Sequence, residues 1–370
     1  MNIYNYIDEY GLYSFKEKPI NEIDCVIFSF LSYANFKDVI QENQKITIKN
    51  AGRIHLGVHP NKEKNIIAVR EGNKLLHYIK DTKRYKDCIL FNYEYIGTEK
   101  MQFGAISIEY QPNKVFVSFE GTDSLFSGWM ENFMLSYQFP TQSHLLAIGY
   151  LNRYFTLKIK NLIVGGHSKG GNLALVASMY TNIWVKKLIK RIYNVDGPGL
   201  LDKEFNSNKY QKIQSKYLHI IPDYSLVGLF LRHSNDIVVE STNKGILAHN
   251  IVYWQIKKTT FKRATLSKLS KELDKEIEKW FSKYNDEDKK KFIKNLEDIL
   301  IKANINSILE LKEKNSNIIK LIYESKEMSD NTKQILIEFI KILITCFGET
   351  KKEEIKEFIT TMFKIKKQGK

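Results

Sequence analysis

The residues best suited to covalent chemistry lie in the string Gly166-His167-Ser168-Lys169-Gly170. The apolar run Leu162-Ile163-Val164 leads into it, and Asn172-Leu173-Ala174-Leu175-Val176-Ala177, rich in helix formers, follows. A serine at such a strand-to-helix turn sits in strained backbone with its hydroxyl held clear of the chain. The helix N-terminus behind it offers N–H groups and a positive dipole to an oxygen gaining negative charge. The spacing therefore predicts a nucleophile at Ser168. An acyl-transfer serine needs two N–H donors for the tetrahedral oxygen. Lys169, next in the chain, supplies one from its backbone. Thr122, in the Gly121-Thr122 turn that ends the strand-like Val115-Phe116-Val117-Ser118-Phe119, is in position to supply the other.

Phe119-Glu120-Gly121-Thr122, then Trp129, then Gly166 to Gly171 resemble the class 3 lipase branch of the α/β-hydrolases, with its oxyanion turn, lid-base tryptophan and G-H-S-x-G elbow. Across residues 4–255 the chain is more similar to a bacterial family of lipase-like domains. That similarity is carried by GGHSKGGNLA (165–174), NVDGPG (194–199) and His249 shortly before Trp254. The resemblance implies an α/β-hydrolase core, a three-layer α/β sandwich. It also implies a serine hydrolase acting on carboxylic esters, acyl or lipid esters first among them. Two residues depart from the pattern. Glu120 stands where the oxyanion turn usually carries arginine, and Lys169 where lipases carry a small or apolar residue. The expectation for Lys169 is a side chain in solvent; its rival is recognition of an anionic head group.

In this fold the base follows the serine, in the order serine, acid, histidine. Of the eight histidines, only His219, His233 and His249 come later. His219 lies inside the apolar run YLHIIP and reads as a core residue, and His233 precedes the last strand candidate. His249 follows that strand in a polar turn, where the base belongs, and the resemblance also selects it. His167, inside the elbow, reads as packing away from Ser168. The acid stays open. Asp196 ends one strand candidate in NVDGPG and Asp223 ends the next in IIPDYS; Asp236 opens a strand and is a third, weaker candidate. Class 3 lipases suggest the later position, pancreatic-type lipases the earlier one, and the tight Gly-Pro-Gly turn favours Asp196.

Positioning these groups takes strands from Cys88 onward, in CILFNYEYIG, FGAISIEYQ and KVFVSFEGT, with polar breaks between them. NLIVGGHS, IKRIYNVDGPG and YLHIIPDYS then alternate with helical patterns, one over 143–157 and one after the elbow. Between Thr122 and Pro140 large apolar residues crowd an irregular stretch. Phe126, Trp129 and Phe133 there read as a lid or acyl-binding wall, with a core helix as the equal alternative. The first 80 or so residues show one clear pattern, a buried-face helix over 20–31. After about residue 256 only Lys- and Glu-rich amphipathic helices follow. Residues 1–257 thus read as the hydrolase-like domain and 258–370 as an all-α, Lys-rich domain.

The composition, 43% hydrophobic and 27% charged residues in a chain of 370, excludes a disordered or collagen-like chain. The cysteines Cys25, Cys88 and Cys346 are far apart and read as free thiols. No P-loop, GxGxxG, HExxH or EF-hand loop occurs, so no cofactor and no metal is expected. The opening residues lack an apolar signal core, and the longest apolar run, 335–347, is broken by Glu338 and Lys341; the expectation is a cytoplasmic protein. The net charge of +15 comes from lysines that alternate with glutamates. The partners this allows are a small-molecule or lipid ester and a weakly bound anionic membrane surface, with no nucleic acid. The competing functional reading is an idle hydrolase scaffold serving as a membrane- or protein-binding module.

Overall fold

Residues 89–119 alternate apolar and polar side chains and fold as an antiparallel meander of β2 (Ile89–Thr98), β3 (Met101–Gln111) and β4 (Lys114–Phe119). The short β1 (Ile46–Thr47) pairs with β2. After β4 each strand pairs parallel to the one before it: β5 (Asn161–His167), β6 (Ile189–Val195), β7 (Tyr217–Pro222) and β8 (Asp236–Val239). The eight strands lie in chain order. The computed structural model describes residues 1–59, 67–98, 101–122, 133–155, 158–302, 334, 335 and 338.

Helices cover both faces. Those of the N-terminal part are α1 (Ile3–Tyr10), α2 (Glu22–Leu31), α3 (Ile48–Val58) and α4 (Ile67–Ile79). Within the parallel half come α5 (Gln142–Tyr154), α6 (Lys169–Tyr180), α7 (Ile183–Leu188) and the one-turn α8 (Asp202–Phe205) and α9 (Asn208–Gln211). Successive residues of β5 point to opposite faces. A Cβ on Gly165 would meet Ser29 Oγ of α2 at 2.8 Å, whereas one on Gly166 would meet Gly170 of α6 at 2.3 Å. The sheet is therefore the middle of an α/β sandwich, and β5, covered on both sides, is buried from Leu162 to His167. The expected helix over 143–157 forms as α5, started by a capping box between Thr141 and His144.

α2 is buried from Ile23 to Leu31. Its N-cap Asn21 forms a capping box with Asp24, whose carboxylate also meets Arg84 in an ion pair excluded from water. Cys25 and Cys88 are buried free thiols; Cys346 lies outside the described residues.

The chain divides into two compact units, Met1–Asp123 with Pro140–Leu266, and Ser124–Phe139 with Ser267–Lys370. The first holds the sheet. The second is helical where described: α10 (Lys268–Lys283) and α11 (Asp286–Lys302), with Trp280 packed edge-on against Phe292 at 5.8 Å. Of the apolar stretch before Pro140, Phe133 is buried in this second unit, while Phe126 and Trp129 lie outside the described residues. Among the described residues no helix is long and apolar enough to cross a membrane.

Candidate active site

The parallel register sets Phe119 beside Gly166, His167 beside Val195 and Val195 beside Ile220. The loops after β4, β5 and β6 therefore emerge together at the carboxyl edge of the sheet, where open α/β folds bind ligands. Those loops carry Thr122, Ser168 and Asp196.

Ser168 caps α6 with φ 58° and ψ −131°, a left-handed conformation that a non-glycine residue adopts only under constraint. Its N–H donates to Val195 O at 2.9 Å. The flanking glycines are required by contact. A Cβ on Gly170 would lie 2.1 Å from Phe119 O, so any side chain there would push α6 off β4. The neighbouring loops press equally close: Cβ atoms on Gly121 and Gly197 would come within 2.5 Å of His167 O and 2.1 Å of Ser168 O. Thr122 is buried beside this turn.

Asp196, also at positive φ (47°), is fully buried. Its Oδ1 accepts from Ser225 Oγ at 2.5 Å and Gly228 N at 3.1 Å. Its Oδ2 meets His249 Nδ1 at 2.6 Å. His249 ends a 3₁₀ turn, Gly245–His249, with its ring about one-fifth exposed. Asp223, the other strand-end carboxylate, accepts from Ser241 N at 3.1 Å, and burial raises its carboxyl pKa against that bond. The carboxylate bonded to His249 is thus that of Asp196.

Behind His249 lies a support that the sequence did not disclose. His167 Nε2 meets the His249 carbonyl at 2.9 Å, so this nitrogen carries the proton. Nδ1 is then an acceptor, and Tyr33, just after α2, donates its hydroxyl to it at 3.0 Å. The two imidazole rings lie 4.3 Å apart. Burial pushes the His167 pKa well down, and the charge His249 can carry pushes the same way, so His167 stays neutral.

The NVDGPG turn is held from three sides. Asn194 accepts from Gly197 N at 2.9 Å and donates to Pro198 O at 3.0 Å. Asn172, on α6, donates to Gly199 O at 2.6 Å while accepting from His144 Nε2 at 2.7 Å. His219 Nε2 donates to Gly197 O at 3.1 Å. The elbow and the aspartate turn, the two most distinctive strings in the sequence, are therefore clasped to each other. Asn172 and Asn194 were visible in those strings, but only the fold reveals their task.

His219 is a core residue, as read, with its Nδ1 on Asp236 Oδ1 at 2.7 Å; His233 Nδ1 meets the other oxygen at 2.7 Å. Burial alone would raise the Asp236 pKa, but these two bonds hold it well below the carboxylate range. Among the described residues this trio is compact enough to hold a metal ion, its ligand atoms within 4.8 Å of one another.

Lys169 does not point into solvent as expected. Its side chain is 1% exposed, and Nζ donates to Gln102 O at 2.5 Å. Glu120 is buried as well and accepts from Gln102 Nε2 at 3.2 Å. The reason is local. Lys169 opens α6 close enough to β3 for its stem to be buried and its ammonium to reach a backbone carbonyl of that strand. The two departures from the lipase pattern meet at one residue.

A mixed sheet whose parallel half ends in a strained serine turn, backed by helices on both faces, defines an α/β-hydrolase domain. The Mbeg1-like family model matches residues 79–298, and the chain belongs to that lipase-like family. No curated protein shows significant similarity. Among solved structures, the M37 lipase is similar at a TM-score of 0.34 and 14% identity, over 55% of this chain and 68% of its own. The extracellular lipase LipA from Serratia marcescens is similar at 0.30 and 11% identity, over 64% of this chain and 43% of its own.

Proposed function

We propose that the protein is a serine hydrolase that cleaves carboxylic esters, acyl or lipid esters first among them. One observation carries this reading: a buried aspartate bonded at 2.6 Å to His249, on the sheet edge that carries Ser168 in its strained turn. In the proposed reaction Ser168 Oγ attacks the ester carbonyl and His249 Nε2 takes its proton. Asp196, accepting from Nδ1–H, holds the tautomer that leaves Nε2 basic and stabilises the imidazolium. The backbone N–H groups of Thr122 and Lys169 receive the oxyanion. Collapse expels the alcohol, which takes the proton from His249. Water activated by the same imidazole then splits the acyl-enzyme and frees the serine.

The test is labelling of the purified full chain by a fluorophosphonate probe. Labelling at Ser168, lost in Ser168→Ala, is expected. Hydrolysis of short p-nitrophenyl esters should fall on the order of 10⁴–10⁶ in the same variant. An unlabelled, inactive protein would overturn the proposal in favour of the idle scaffold.

A further inference from the structure

The end of the parallel strands opposite Ser168 has a different character. β6 starts there, at Ile189, directly after α7, and Asp196 lies just beyond its other end. At about 3.3 Å per residue the two ends are roughly 20 Å apart. On α7 the side chains of Ile183 and Trp184 are 60% and 57% exposed, among the most exposed large apolar groups of the described chain. Six lysines lie on α7, at the start of β6, just before β7, and on or just after α9: Lys186, Lys187, Lys190, Lys216, Lys209 and Lys212.

Their proximity can be read from their effects on one another. Partial burial lowers the Lys186 pKa, and the charges of Lys209 and Lys212 lower it further; Lys216 is lowered by burial and by Lys190. Lys216 Nζ donates to the Lys186 carbonyl at 3.2 Å, and Lys187 Nζ lies 4.9 Å from the centre of the Trp184 ring. Among the described residues no carboxylate pairs with any of the six. Glu204, near Lys209 through Tyr180, is taken by the Tyr180 hydroxyl. Elsewhere on this chain lysines do pair with acids, Lys83 with Glu17 and Lys262 with Glu240. What marks this face is the gathering of six lysines, since single lysines without an ion pair also occur elsewhere among the described residues.

We propose that this face is a docking surface for an anionic lipid bilayer, with Trp184 and Ile183 entering the headgroup layer and the six lysines meeting lipid phosphates. Tryptophan is the side chain that settles at a membrane–water boundary, and lysine stems reach past an inserted apolar group to the charged surface. Lysine dominates the patch: the arginine beside it, Arg191, turns Nη1 back onto the Lys190 carbonyl, and Trp184 is a single exposed ring on α7, which sets nucleic acid behind lipid. Docking here turns the carboxyl edge of the sheet away from the bilayer. The surface is thus a tether, and it stands or falls separately from the proposed esterase activity.

The experiment uses the full chain and sedimentation with vesicles of equimolar phosphatidylcholine and phosphatidylglycerol, against phosphatidylcholine alone. Binding to the anionic vesicles only, weakened by added salt, is expected. Lys186→Glu with Lys212→Glu should lower the partition coefficient by more than about tenfold, since each surface lysine contributes about a fivefold factor. Trp184→Ala should weaken binding severalfold and leave its salt dependence unchanged. Unaltered thermal melts show that these surface variants fold. Equal binding to neutral vesicles, no binding at low salt, or full binding by the double variant would overturn the proposal. So would capture of a single-stranded RNA oligonucleotide by the same lysines without vesicle binding.

Discussion

Asp196 and Asp223 end adjacent strands, yet their oxygens meet different partners: His249 Nδ1 for one, a backbone N–H of Ser241 for the other. Asp196→Asn is expected to lower ester turnover by roughly 10⁴, the cost of a wrongly oriented imidazole, and Asp223→Asn to cost far less. Steady-state kinetics of the two variants decide; the reverse order moves the acid to Asp223. Glu120 and Lys169 pose a second question at this scale. Both are buried and both bond to Gln102, so their effects on stability should not add. A cycle of Glu120→Gln and Lys169→Met, followed by urea unfolding, should give a coupling of about 1 kcal/mol or more. Additive losses would separate the two departures. Ser168, Thr122, Asp196 and His249 stood out in the sequence as candidates because each stands in a turn whose chemistry is local, and the bond of Asp196 to His249 keeps two of them together. Tyr33 could not, since it reaches His167 across 134 positions and no short string records that bond. Lys169 misled for a related reason: a lysine's type says surface, and only packing close to β3 makes it an interior donor.

Turns hold this site more than strands do. Asn172 ties α6 to the aspartate turn and to His144 of α5, so it couples three elements through one buried amide. Asn172→Leu would leave the Gly199 carbonyl and His144 Nε2 without these bonds in the interior. The expected loss is about 1–3 kcal/mol of stability, with turnover lowered more than KM is raised, because the aspartate turn carries the group that orients His249. Denaturant melts and kinetics on the same preparation test this; a change in KM alone would place Asn172 against substrate instead. The strands of the meander and of the parallel half were legible because period-two alternation and unbroken apolar runs are strong signals. α1 and α3 were not. They are set by caps at Asn2 and Thr47 and by burial against distant partners, and neither leaves a long periodic stretch. α2 was visible because it is apolar nearly all round.

Across the whole molecule, the N-terminal part contributes a buried ion cluster to the core and a buried polar link to the site. Arg84 binds Asp24 through Nε and Nη2, and Tyr6 and Tyr85 bond to the same carboxylate; separately, Tyr33, just after α2, donates to His167. Burial opposes the Arg84 charge, yet its bonds to Asp24 and that carboxylate's charge raise its pKa and keep it ionised. Asp24→Asn leaves a buried guanidinium uncompensated and should cost about 3–5 kcal/mol. His167 gives the fold a different sensitivity. Its folded pKa lies well below the ordinary histidine value of about 6.5, so below that pH the unfolded chain takes up a proton that the folded chain refuses. Stability is therefore full above about pH 6.5 and falls as the pH drops from there toward the folded value. Asp236, depressed by its two histidines, adds a loss that begins only at lower pH. His77, lowered by burial and by Lys80, shares the direction of His167, so some slope between pH 5 and 6.5 should survive in any single variant. His167→Gln keeps a donor for the His249 carbonyl without the titrating ring. Its melting temperature should fall less steeply than that of the wild type over this interval, while ester turnover at neutral pH is largely kept. His167→Leu, which removes the donor as well, should lose turnover at neutral pH. Parallel melting curves for the wild type and His167→Gln across the interval would mean that His167 is not the group whose protonation the folded state resists.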